Sequence, residues 1–309
     1  MNPKRQRAIS LVKEHLNIPL ANQQFAHLVR IRQNGAVGQA VFMLHGLMDN
    51  ASCFHKAANQ TGLAYVLARK GYDVYLAELR GRHLDRKTLS NLNFGIEQAI
   101  AEDLLKLVAA MNKTAQPGKQ IWVGQGFGSL LLTSYLARHP AYLEKIQALV
   151  HFSPFRELQS AGAMKDFWVN WVHRRGVTLL SKALGYVPAI KLKLGRSNEV
   201  LGFYQEALQC LDAPWLGQDG FNYAKEIKQL DWPPSLYFAS LHRSWRGSDT
   251  DARAFMFDFG DHNARLIKLG RGVGNQQNYK RSQLCLHQTA EQDYYPLLLN
   301  WLQELSDIS

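Results

Sequence analysis

The chain has 309 residues, 46% of them hydrophobic, and its 36 Lys and Arg against 25 Asp and Glu leave a net charge of +11. A chain of this length and hydrophobic content can bury a large core, which suits one large domain, with room for an inserted cap, better than two independent domains. No apolar run reaches the roughly 18 residues that a membrane span requires, and no signal-peptide core follows the basic start Met1-Asn-Pro-Lys4-Arg5-Gln-Arg7. Cys53, Cys210 and Cys285 are odd in number, far apart and in no metal-ligand spacing. They read as free thiols of a cytoplasmic protein that needs neither metal nor cofactor.

In chain order, residues 6–16 carry Ile9, Leu11, Val12 and Leu16 at spacings that predict a short amphipathic helix. Strands are expected from Phe25 to Arg32, at Ala40-Val-Phe-Met-Leu-His45 and at Asp73-Val-Tyr-Leu-Ala-Glu-Leu79. The second is continuously apolar, as in a strand covered on both faces. Helices are predicted over 62–70, stopped by Lys70-Gly71, and over 96–112, with Ile96, Ile100, Leu104, Leu107, Val108 and Met111 on one side.

Next comes Gln120-Ile-Trp-Val-Gly124-Gln-Gly126-Phe-Gly128-Ser-Leu-Leu-Leu. An apolar, partly β-branched run meets three glycines at alternate positions and then a Leu-rich helical pattern closed by Pro140. That is a strand, a very sharp turn and a helix. A further strand, 147–152, is halted by Ser153-Pro154. From 155 to 232 the pattern becomes mainly helical, with turns expected at Gly176, Gly185, Pro188 and Gly195. Strands return at 235–239 and 264–269, and a helix from about 293 to 305 closes the chain. The expected fold is α/β: a doubly wound, mostly parallel sheet formed by 1–154 and 233–309, with 155–232 inserted as a helical cap.

The charge is uneven. Between Arg156 and Arg196 there are eight Lys and Arg against two acidic residues, together with Phe167, Trp168 and Trp171. Basic residues mixed with aromatics favour contact with an anionic membrane or an acidic ligand; no motif for RNA or DNA accompanies them, so nucleic acid is disfavoured.

Taken in order, His45-Gly-Leu-Met-Asp-Asn-Ala-Ser, Leu67-Ala-Arg-Lys-Gly-Tyr-Asp-Val, Arg80-Gly81, the glycine elbow and Tyr279 resemble the α/β-hydrolase superfamily over most of the chain. Locally they are most similar to the gastric and lysosomal acid-lipase type. The resemblance implies a nucleophile at the middle of the G-x-S-x-G elbow, an acid after strand 235–239, and a histidine two residues beyond a tyrosine. Those positions hold Gly126, His242 and Arg281. Glycine has no side chain to attack with, and an arginine cannot serve as general base near neutral pH. All three triad roles are thus substituted, and the chain reads as a hydrolase-like pseudoenzyme. The runner-up reading is an active lipase or esterase with a non-standard site.

The oxyanion donors of the resemblance are backbone groups, here Leu47 and Phe127 N–H, which substitutions elsewhere do not remove. With His45, Gly46, Gln125, Gly126, Arg281 and His287 they outline an expected site for a fatty-acid-like or other anionic small molecule, or a surface for a protein partner. Arg281 pointing to solvent, or pairing with Asp249 or Asp251, is the equal alternative. Ser129 is expected on the packing side of its helix and Cys285 partly buried. His262 or His287, with Asp249, Asp251, Asp258 or Asp261, offers a weaker route to a shifted His–Asp pair that activates water.

Overall fold

The computed structural model describes residues 10–158, 167–211, 214–242 and 247–308. The expected basic N-terminus lies outside them, as do the side chains of Trp168 and Trp171.

Ten strands are present among the described residues: β1 (Leu11–Pro19), β2 (Phe25–Gln33), β3 (Ala40–Leu44), β4 (Asp73–Glu78), β5 (Gln120–Gln125), β6 (Ile146–Phe152), β7 (Tyr186–Val187), β8 (Glu199–Val200), β9 (Ser235–Ser240) and β10 (Ala264–Leu269). Eight form one sheet in the order β1-β2-β4-β3-β5-β6-β9-β10. The β1–β2 and β2–β4 pairs are antiparallel and every other pair is parallel. The expected doubly wound α/β architecture is therefore observed.

The alternation of side chains along a strand builds a core on each face. Phe42, Leu44, Tyr75 and Trp122 face one cluster, which the helices Leu105–Thr114 and Phe127–Arg138 join. Val41, Met43, Val74, Leu76, Ile121 and Val123 face the other, with the helices Leu63–Arg69 and Tyr295–Ile308. This two-sided burial is why β3 and β5 read as unbroken apolar runs. From Phe127 to Ala137 every residue is buried, so that helix is packed all round.

Two local expectations are corrected. The helix over 6–16 falls partly outside the described residues, and from Leu11 onward the chain is strand β1, paired from Leu11↔Gln33 to Pro19↔Phe25. It is an edge strand whose residues are mostly only part-buried, and cross-strand pairing with β2 overrides a weak local helical spacing. The turn at Gly176 is also absent. The helical path runs Phe167–Val177 and Thr178–Leu184 and stops at Gly185, where φ is 77°.

Between β6 and β9 the chain leaves the main sheet. It forms these helices, the two-residue ribbon β7–β8, and the helices Leu201–Gln209 and Tyr223–Ile227. No helix among the described residues is long and apolar enough to cross a membrane.

Candidate functional site

At the reversal of strand order, Leu44 on β3 pairs with Gly124 on β5, so the loops leaving both strands emerge side by side. In open α/β sheets the crevice at such a reversal is where ligands bind. After β5 the chain turns through Gly126 at φ 56°, ψ −119°, and enters the helix at Phe127. An L side chain rarely adopts that conformation. The flanking glycines serve packing: a Cβ at 124 would lie 2.5 Å from Ser129 Cα, and one at 128 would lie 2.4 Å from the His45 carbonyl. Gly128→Ala should therefore cost about 1–3 kcal/mol by overpacking, read as a lower urea midpoint at unchanged slope.

Gly126 N–H donates to Phe152 O at 2.9 Å. Phe127 N–H, at the first helical position, has no acceptor among the described residues, and neither has Leu47 N–H. Both are free donors, and the helix N-terminus adds partial positive charge beside the turn. The Leu47 loop is held from three sides. Gly46 N–H donates to Gln125 Oε1 at 3.1 Å, and Met48 N–H donates to Glu199 Oε2 at 3.0 Å. Met48 itself sits at φ 58°, completing the turn. From the segment between β6 and β9, Ser197 N–H donates to Met48 O at 3.2 Å.

Arg281 comes from the loop after β10. That loop is tied to the end of β9 by Ser240 Oγ, which donates to Tyr279 O at 2.5 Å. The guanidinium lies directly over the turn: Nη1 is 2.7 Å from where a Cβ at position 126 would stand. Its carbon lies 5.9 Å from the centre of the Phe155 ring. No carboxylate among the described residues comes within ion-pair distance. Asp249 pairs with Lys268 Nζ at 2.9 Å, and Asp251 accepts Ser248 N–H at 3.0 Å as a helix cap. Burial pushes the Arg281 pKa down from its usual value, Asp49 partly offsets this, and the nearby Arg196 adds to it. The depression reflects a cation held where charge is poorly solvated.

Asp49 does not neutralise Arg281, because Arg196 takes it. Arg196 Nη1 donates to both Asp49 oxygens, at 3.0 and 3.1 Å, and Nη2 donates to Ser282 O at 2.8 Å. Burial raises the Asp49 pKa, and the Arg196 ion pair works against that. Behind this layer Arg82 Nη1 meets Glu199 Oε1 at 2.7 Å, with both side chains almost wholly buried.

The model for the alpha/beta hydrolase fold matches residues 39–184, which include β3, the elbow and β6. Solved structures with the same chain path include an esterase from Thermogutta terrifontis (13% identity, 94% of this chain and 99% of that one, TM-score 0.56). An esterase from Pyrococcus furiosus (12%, 95% and 91%, TM-score 0.55) and a candidate lipase from Acinetobacter baumannii (15%, 97% and 93%, TM-score 0.59) share it. This is the α/β-hydrolase fold. No curated protein matches the chain by sequence.

The remaining residues singled out from the sequence fall as follows around the α/β-hydrolase elbow. His45 Nδ1 donates to Gly46 O at 2.8 Å and Nε2 accepts Leu79 N–H at 3.3 Å. Burial, aided by Arg82, lowers its pKa to about 3, so it is a neutral strut with no ring nitrogen left for a ligand. Gly46 N–H is likewise committed, to Gln125. His287 packs edge-on against Tyr279, its Nδ1 facing Gln277 Nε2 and Thr289 N–H, both at 3.3 Å. His242 follows β9, with its N–H on Ser240 Oγ at 3.0 Å.

Ser129 is buried with its hydroxyl against Gly124, on the packing side. Cys285 is buried and its pKa is driven well above the usual thiol value, which removes it as a nucleophile. His262 is bound by Tyr237 OH at 3.0 Å and Asp258 by Arg156 at 3.0 Å, so neither forms a His–Asp dyad with the other. Sequence reading missed Asp49, Arg82, Phe155, Arg196 and Glu199. Only their charges, and the Ser-Pro-Phe stop after β6, were visible signals.

Proposed function

We propose that this α/β-hydrolase-fold protein does not carry out serine-hydrolase chemistry and instead holds the anionic head of an amphiphile, such as a fatty-acid carboxylate, at its elbow. The observation that carries this reading is the Arg281 guanidinium set against Gly126. The acid-lipase resemblance puts the general base at position 281 and the nucleophile at 126; here they are a permanent cation and a glycine. What remains is a set of donors beside the Phe155 ring: two backbone N–H groups, a helix N-terminus and a guanidinium with no carboxylate in ion-pair distance among the described residues. Donors without a proton acceptor or a nucleophile bind an anion; they do not turn over an ester.

The lipase and esterase relatives suggest the test. Purified protein should hydrolyse p-nitrophenyl butyrate about a million-fold more slowly than a working serine esterase, and a fluorophosphonate should leave it unlabelled. Gly126→Ser alone should not restore turnover, because Arg281 cannot accept the serine proton. Robust wild-type turnover that Gly126→Ala abolishes, or fluorophosphonate labelling of the wild type, would sink the proposal and establish the esterase reading.

A further inference from the structure

The helix Thr178–Leu184 is turned the wrong way round for a water-soluble surface. Its solvent face carries Leu179, Leu180 and Leu184 at 68%, 41% and 42% exposure, with Ala183 between them, while Ser181 is fully buried. At 3.6 residues per turn these four outward residues span an arc of about 140°. A surface helix normally buries such a stripe and exposes its serines. Phe167, at the start of the preceding helical stretch, and Ile190, just past β7, are also more than half exposed. A concentration of large apolar side chains of this kind marks a surface that something covers.

The charge says what covers it. From Phe167 to Asn198 the sequence has six Lys and Arg and no Asp or Glu. Lys182 lies on the edge of the leucine face, and Lys191 and Lys193 follow Ile190 within the same turn, closed by Lys193 N–H on Ile190 O. All three are exposed and none has an ion-pair partner among the described residues. Leucines in a field of unopposed lysines complement an anionic lipid surface: the apolar face enters the acyl boundary while the ammonium groups meet phosphates.

We propose that the face formed by Leu179, Leu180, Leu184 and Ile190, rimmed by Lys182, Lys191 and Lys193, docks the protein on anionic membranes. This inference stands apart from the ligand at the elbow, since none of these residues touches Gly126 or Arg281.

The test is co-sedimentation of the full chain with vesicles of phosphatidylcholine alone and of an equal mixture of phosphatidylcholine and phosphatidylglycerol. Wild type should bind the mixed vesicles, remain in solution with the neutral ones, and dissociate at high salt. Lys182→Gln, Lys191→Gln and Lys193→Gln together should weaken binding by roughly tenfold or more. Leu179→Ser, Leu180→Ser and Leu184→Ser together should abolish it, with the melting temperature of each variant compared with wild type. Should the leucine variant fold poorly, the lysine variant decides alone. Equal binding to both vesicle types, no binding to either, or unchanged binding by the lysine variant would overturn the proposal. A wild-type dimer that the leucine substitutions convert to monomer would also overturn it, by assigning this face to a second copy of the chain.

Discussion

Replacing Glu199 with alanine is expected to destabilise the protein by about 3–5 kcal/mol, the usual cost of leaving one partner of a buried ion pair alone. Glu199 is fully buried and faces Arg82, whose side chain is 1% exposed, at 2.7 Å. Its other oxygen accepts Met48 N–H at 3.0 Å, and Oε1 also accepts Val200 N–H at 3.1 Å. Arg82 Nε and Nη2 already lack acceptors among the described residues, so the substitution would strip the guanidinium of its compensating charge.

The loss should not be confined to stability. Glu199 is, with Ser197 N–H on Met48 O, one of two links through which the segment between β6 and β9 holds the Leu47–Met48 turn, so the Leu47 donor at the elbow would also be less firmly placed. Urea denaturation measures the first effect, and Glu199→Gln, which keeps the hydrogen-bonding oxygen, should fall between wild type and alanine. A change below about 1 kcal/mol for Glu199→Ala would place this pair among the ion pairs of negligible net worth.

Arg281→Met should have two effects of opposite sign. Without ligand the folded state carries a guanidinium that is part-buried and has no carboxylate within ion-pair distance among the described residues, a state burial disfavours. An apolar side chain of similar length removes that cost, so the variant should melt higher than wild type, in the range of about 0.5–2 kcal/mol typical of relieving strain at a functional site. With ligand the order reverses. Loss of a charge-assisted hydrogen bond should weaken binding of decanoate by roughly 1.5–3 kcal/mol.

Calorimetric titration of both proteins with decanoate measures the second effect, and thermal melts without ligand measure the first. Equal affinities, or no binding to either protein, would refute an anion site at the elbow. Higher stability with weaker binding is the signature of a charge kept for its ligand rather than for the fold.

Much of the fold was legible locally because it rests on local periodicity. β3 and β5 are covered on both faces, and that condition forces continuous apolar runs that any reading of the sequence finds. The elbow announced itself for a related reason. Gly124 and Gly128 are required by backbone contacts within a few residues or with the neighbouring strand, and Gly126 by its own positive φ. Strand β1 was not legible. It lies at the sheet edge, and only its pairing with β2 decides between a helical and an extended reading.

The site divides in the same way. That the middle of the elbow is a glycine, with no side chain to react, is a property of one residue in one short motif, so the sequence alone determined it. The placement of Arg281 over that residue, the theft of Asp49 by Arg196, and the hold of Glu199 on Met48 join positions far apart in the chain; the last two lie 147 and 151 residues apart. No propensity or spacing encodes such meetings, because they depend on where the segment between β6 and β9 returns onto the sheet. Tertiary structure alone decided them, since charges choose partners by distance in space and by loss of solvent, neither of which the linear order of residues contains.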